Sequence, residues 1–186
     1  PEITYPELKG ILVGEKVHEG KAMYTTVVDS TPPLAAWIDG LLDMIMGRSI
    51  LARHVLTFCI VFVQAAFIGI VFVDKKAFTE NTYIPSLIFI VLFFFSFDTL
   101  ALSPELLGSG ILLLALNNLF KEIEFRESRD ESVFSLGLFI GLASLMSFSF
   151  VVHLAGSITI LIIFTRSPFR KYLLMVLGFL IPHVLL

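Results

Sequence analysis

Long apolar segments dominate the chain beyond residue 50, and they constrain its fold more than any other feature. The segment Val55–Val73 contains no charged residue. Charged residues make up only 16% of the chain and the mean hydropathy is +0.91, whereas soluble domains carry about 25% charged residues. The sequence therefore predicts an all-α, polytopic transmembrane protein rather than a soluble domain.

Six segments qualify as membrane spans when their less apolar flanks are included, because a helix needs about 20 residues to cross a bilayer. Residues 133–164 carry no formal charge. A single helix of that length, at about 1.5 Å per residue, would exceed a bilayer core of roughly 30 Å. We therefore expect a break near Ser144, Ser147 and Ser149. The predicted spans are residues 50–73, 84–102, 104–120, 133–148, 150–165 and 170–186.

Positive charge supports this break and orients the chain. Lysine and arginine accumulate in alternate connections, at residues 75–76, 121–129 and 166–171, and the loops between them, around residues 98–103 and 149, have none. Such enrichment is typical of cytoplasmic loops. We therefore predict that residues 1–49 form an external loop, periplasmic in a bacterium, and that residues 50–186 form a transmembrane domain in the inner membrane.

A short helix over Leu34–Met46 is predicted within the external loop. It is too short to span, and it places Asp39 and Asp43 on one face, as expected of an interfacial helix. Residues 30–33 (Ser-Thr-Pro-Pro) are typical of a helix start and Gly47 of an end. Similarly, residues 103–105 (Ser-Pro-Glu) predict the start of a span.

Several features limit the possible functions. The chain opens on Pro1 and ends within an apolar stretch, so we interpret it as a piece of a longer protein truncated at both ends. The single Cys59 excludes an intramolecular disulfide. A net charge of −3 without a basic stripe argues against nucleic acid as a partner. The four histidines fall in different segments, and the sequence predicts no metal site from them.

Acidic residues on the predicted external side are the first candidates for chemistry. They are Glu7, Asp29, Asp39, Asp43, Asp98 and Glu105. Carboxylates near the interface can act as a general base or hold a divalent cation beside a phosphate leaving group. Alternatively, they are solvated loop and cap residues. Asp98 follows a long apolar run, where an acidic residue is costly enough to suggest function.

Two basic residues at the external start of the first span, Arg53 and His54, are the second set of candidates. An arginine there can bind a lipid phosphate, or it can extend to the interface as an anchor. Midway along the same span, Gln64 is expected to bond to a neighbouring helix.

The order of these features resembles the first external loop of the GT-C superfamily of membrane glycosyltransferases, which includes protein mannosyltransferases and aminoarabinose transferases of lipid A. The later part of the chain is also similar to these proteins. The residues that carry the resemblance are Tyr5, Pro6, Glu7, Leu8, His18, Glu19, Gly20, Met23, Tyr24, Asp29, Pro32, Pro33, Leu34, Gly47, Arg48, Ser49, Arg53, residues 137–143, Arg166, Arg170, Lys171 and residues 178–182.

This resemblance implies a transferase that takes a sugar from a polyprenyl phosphate carrier, with the acid of an acidic pair as the base. That pair falls on Pro6 and Glu7, so Glu7 would act without the first acid, helped by Asp29. Thr31 replaces the usual basic residue before Pro-Pro-Leu. These departures motivate an alternative interpretation, a catalytically silent structural subunit of a larger cell-envelope complex. A transporter is a third interpretation.

Overall fold

The computed structural model describes residues 5–21, 24, 31–78, 82–96, 102–125, 130–165 and 167–185. Within these ranges every regular element is a helix and no strand occurs, which confirms the all-α class. A 3₁₀ turn, Phe148–Val151, precedes α7. The helices are α1 (Tyr5–His18), α2 (Pro33–Met46), α3 (Ile50–Asp74), α4 (Ile84–Ser96), α5 (Pro104–Phe125), α6 (Asp130–Ser144), α7 (Val152–Phe164) and α8 (Phe169–Leu185).

Local sequence signals account for several helix boundaries. Helix α2 begins at Pro33 and ends before Gly47, whose φ of +56° suits glycine. Helix α3 begins after Ser49, whose hydroxyl oxygen accepts a hydrogen bond from the Ala52 amide. The Ser103 hydroxyl oxygen accepts in the same way from the Leu106 amide, at 3.2 Å. The predicted boundaries at Gly47 and Ser103 are therefore confirmed, whereas Ser30 lies outside the described residues.

The number of full-length spans is smaller than predicted. Within the described ranges, two helices are long and apolar enough to cross a membrane, α3 and the part of α5 from Pro104 to Ile123. Helices α4, α6, α7 and α8 have 13 to 17 residues, or about 20–26 Å at 1.5 Å per residue. The expectation of about six full-length spans is therefore wrong on this measure for the described part of the chain. The break near Ser144 is confirmed, since α6 ends there.

Helix α5 lies between two groups of helices. Residues of α5 belong to two buried clusters, one shared with α2, α3 and α4 and the other shared with α6, α7 and α8. The buried side chains of the first group are Leu42, Val61, Phe93, Leu102 and Leu106. Those of the second are Ala115, Leu119, Val133, Leu136, Ile140, Leu161 and Met175.

Much of the apolar surface of the helices faces outward. Phe62 on α3 is 70% exposed and Phe95 on α4 is 87% exposed. Only 33% of the 18-residue apolar stretch of α3 that could cross a membrane is buried inside the protein. Soluble monomers rarely expose apolar patches of this extent. Together with the two long apolar helices, this surface indicates that the protein associates with a membrane.

Candidate functional site

Four ionisable side chains from three helices meet where α1 and α2 join the start of α3. We call this group the junction cluster. Its members are Glu7 on α1, Asp39 on α2, and Arg53 and His54 on α3. Glu7, Asp39 and Arg53 are all buried, and buried charges of this kind require a structural or a functional explanation.

Glycines let α1 approach α2 closely enough to bury Asp39. A Cβ added at Gly14 would lie 2.8 Å from the backbone carbonyl carbon of Asp39, and one at Gly10 would lie 3.4 Å from its carboxylate oxygen. Opposite them, a Cβ at Gly40 would lie 2.8 Å from Val17 Cγ1. The spacing of Gly10 and Gly14 is that of a GxxxG motif, which permits close contact between helices.

Ion pairs at the surface fix how α1 and α2 are aligned. His18 Nδ1 lies 3.0 Å from Asp43 Oδ2. Arg48 Nη2 donates to both carboxylate oxygens of Glu15 at 2.7 Å. Exposed pairs contribute little stability, so the main effect of these two is to orient the last turn of α1 relative to the end of α2.

Glu7 and His54 form a buried carboxylate–imidazole pair. Glu7 Oε1 and His54 Nε2 lie 3.0 Å apart, within ion-pair distance. The two atoms are not aligned for a hydrogen bond, and both are buried with no other hydrogen-bond partner among the described residues. A carboxylate beside an imidazole can accept a proton or orient the ring that does so.

The Arg53 guanidinium has unused hydrogen-bond donors. Its side chain is only 2% exposed, so it is not an anchor that extends to the interface. Nε and Nη2 are buried and find no hydrogen-bond partner in the described part of the chain. Since arginine stays charged and an unpaired buried donor is costly, these two donors suit a planar pair of anion oxygens such as those of a phosphate.

Asp39 belongs to the site; the sequence named it among the external acidic residues but did not select it as a site residue. Burial raises the pKa of its carboxyl to about 7, against the opposing charges of Arg53 and Lys9. One signal was available, because Asp39 lies in the middle of a largely apolar helix, between Ile38 and Gly40. The glycine spacing on α1 that buries it was not recognised.

The structure thus brings together three of the predicted site residues, Glu7, Arg53 and His54. The other two, Asp29 and Asp98, lie outside the described residues. Among the residues described, no three His, Cys, Asp or Glu side chains come together as a metal site. The divalent cation that the acidic residues could hold therefore gains no ligand set from this part of the chain.

Two further polar contacts lie away from the junction cluster. Gln64 Nε2 donates to the Leu106 carbonyl at 2.8 Å and its Oε1 accepts from the Ser109 hydroxyl, which confirms the prediction that Gln64 bonds to a neighbouring helix. Lys171 on α8 pairs with Glu122 on α5, and both side chains are buried. Each of these contacts joins two helices.

The geometry defines this chain as an all-α, membrane-associated protein with a buried charged cluster at one end of a long apolar helix. Comparison with family models, with curated proteins and with solved structures found no match. Any more specific function is therefore proposed from the residues themselves.

Proposed function

We propose that this chain belongs to a multi-pass bacterial inner-membrane protein that is a GT-C-like glycosyltransferase, using a polyprenyl phosphate sugar donor on the periplasmic side. The observation that carries this proposal is the pair of unpartnered, buried donors of Arg53 beside the Glu7–His54 pair. The order of motifs in the first external loop, which resembles that family, gives independent support.

The exposed face of α2 fits a position at the membrane surface. Four exposed apolar residues of α2 recur at positions i, i+4, i+7 and i+8, hence on one side of the helix. They are Trp37, Leu41, Met44 and Ile45, which are 58–72% exposed. The opposite side buries Asp39 against α1. Helix α2 would lie in the interface with its apolar side towards lipid, which places the junction cluster at the level of the headgroups.

The roles of the residues follow from their chemistry. Arg53 would hold the lipid phosphate by charge-assisted hydrogen bonds and stabilise the charge that develops on it as the sugar leaves. Glu7, with His54 beside it, would accept the proton of the acceptor. Because Glu7 and Arg53 are both buried, the first turn of α1 must move away from α3 to admit the lipid.

The first test measures bound carrier lipid. The full-length protein and two variants, Arg53→Gln and Arg48→Gln, are purified in mild detergent and loaded with polyprenyl phosphate for native mass spectrometry. Loss of charge-assisted hydrogen bonds worth about 1.5–3 kcal/mol should lower lipid affinity roughly 10- to 100-fold in Arg53→Gln. Arg48→Gln removes an exposed guanidinium from the same end of the protein and should keep the lipid. Equal lipid occupancy in the two variants would contradict the proposal.

The second test separates binding from catalysis. Glu7→Gln should retain the lipid and lose sugar transfer, because the amide keeps the shape but accepts no proton. Transfer at the wild-type rate by this variant would rule out Glu7 as the base. Unfolding profiles of all variants serve as the check on folding.

One observation favours the second candidate, a catalytically silent subunit of a larger envelope complex. Glu7 is only 3% exposed and is already paired with His54, so the cluster can act as a clasp that docks α1 onto α3. In that case we expect a partner protein at fixed stoichiometry in mild detergent and no carrier lipid. Consistent purification as a lone chain would count against it.

A further inference from the structure

Asp39 lies where it can control the charge of the proposed anion site. Its carboxylate is held against Gly10 of α1, and it is close enough to Arg53 for the two charges to interact. Neither Nε nor Nη2 of Arg53 is hydrogen-bonded to it. The carboxylate therefore acts on the guanidinium through its charge and leaves the two donors unoccupied.

We propose that Asp39 makes anion binding at Arg53 proton-dependent: the ionised carboxylate repels an incoming phosphate, and protonation of Asp39 leaves Arg53 with an uncompensated positive charge. This inference rests on the proposed function, since it needs a phosphate at Arg53. Asp39 does not touch the reacting atoms and is a positioning residue that acts through Arg53.

The direction and size of the effect follow from the titration of Asp39. With its pKa at about 7, about nine-tenths of the carboxyls are neutral at pH 6 and about one-tenth at pH 8. If the neutral form is the one that binds, the apparent Kd varies inversely with that fraction. The Kd should therefore rise about tenfold from pH 6 to pH 8.

Other titratable groups surround the site and must be separated from Asp39. Helix α1 contributes Glu7 and Lys9, and α3 contributes His54. Further out, Asp43 pairs with His18, and Glu15 pairs with Arg48. Asp43 offers a matched control, because it lies one turn beyond Asp39 on the same helix and its carboxylate is already paired outside the cluster.

The experiment measures binding of farnesyl methyl phosphate to the full-length protein in neutral detergent between pH 6 and pH 8. This probe is a phosphodiester, so its own charge stays constant over that range. Wild type and Asp43→Asn should show the tenfold rise in Kd. Asp39→Asn, which keeps the side-chain shape without its charge, should bind at pH 8 as tightly as wild type does at pH 6.

Each outcome bears on a different claim. A Kd that stays constant for wild type, or an Asp39→Asn variant that keeps the tenfold rise, would overturn the role of Asp39 while leaving the phosphate site intact. Absence of binding by wild type at every pH would overturn the phosphate site and with it the present inference. Thermal unfolding of Asp39→Asn shows whether the α1–α2 contact survives the substitution.

Discussion

Adding one methyl group between α6 and α8 tests how these helices are held together. A Cβ at Gly137 would meet the backbone of Met175, lying 2.8 Å from its carbonyl carbon and closer still to its oxygen. A Cβ at Gly178 would similarly meet the carbonyl oxygen of Phe134. Because the obstacle is backbone in both cases, no side-chain rotation can make room, and the helices must separate.

The size of the effect is a balance of two contributions. Overpacking of a close contact costs about 1–3 kcal/mol, and contact with rigid backbone places Gly137→Ala at the upper end. Alanine gains about 0.5–1 kcal/mol over glycine inside a helix. The net loss should be about 2 kcal/mol. Gly156 is the matched control, since a Cβ there meets open space. Gly156→Ala should therefore show only the stabilisation that alanine gives a helix relative to glycine.

The assay is unfolding in mixed micelles, followed by helical circular dichroism as the denaturing detergent is increased. Gly137→Ala should unfold at a lower fraction of denaturing detergent than wild type, and Gly156→Ala at the same fraction or a higher one. If Gly137→Ala matched or exceeded Gly156→Ala in stability, the close α6–α8 contact would be refuted.

Three further predictions use the same unfolding assay. Gln64→Leu should lower the free energy of unfolding by about 1 kcal/mol, because it removes the hydrogen bond to the Leu106 carbonyl. An unchanged free energy of unfolding would mean that this hydrogen bond contributes nothing to stability. Lys171→Met should lower the free energy of unfolding by about 3–5 kcal/mol, because it leaves Glu122 buried without its partner. The double variant Lys171→Met/Glu122→Leu should recover most of that loss. Equal stability of the single and double variants would contradict this prediction. The free energy of unfolding should fall by about 1.4 kcal/mol per pH unit between pH 4 and pH 7, because the pKa of Asp39 in the folded protein lies above its ordinary value of 3.8 and folding favours the neutral carboxyl. Asp39→Asn should remove this pH dependence. If the pH dependence persists in that variant, it belongs to another group.

Signals that are local in sequence predicted much of the fold. The serine before α5, the glycine after α2 and the serines that interrupt residues 133–164 all act within a few residues, so sequence reasoning located these boundaries. The lengths of the helices were less predictable. Apolar residues mark a segment as buried in lipid or protein, but they do not indicate where the helix itself ends.

The candidate site was only partly predictable, because it depends on helices that meet in three dimensions. Glu7, Arg53 and His54 were each singled out, but as members of separate groups of residues. The Glu7–His54 contact joins residues 47 positions apart in the chain. The inclusion of Asp39 depends on the glycines of α1, whose effect becomes visible only when α2 is packed against them.

The two buried cations among the described residues, Arg53 and Lys171, differ in a way that favours Arg53 as the functional one. Lys171 is paired directly with the Glu122 carboxylate, as expected of a charge that joins two helices. Arg53 is equally buried, but it leaves two donors without a partner in the described part of the chain. A purely structural cation gains nothing from unpaired donors, since each of them costs free energy on folding. A cation that binds an anion must keep donors available, and of the two only Arg53 meets this requirement.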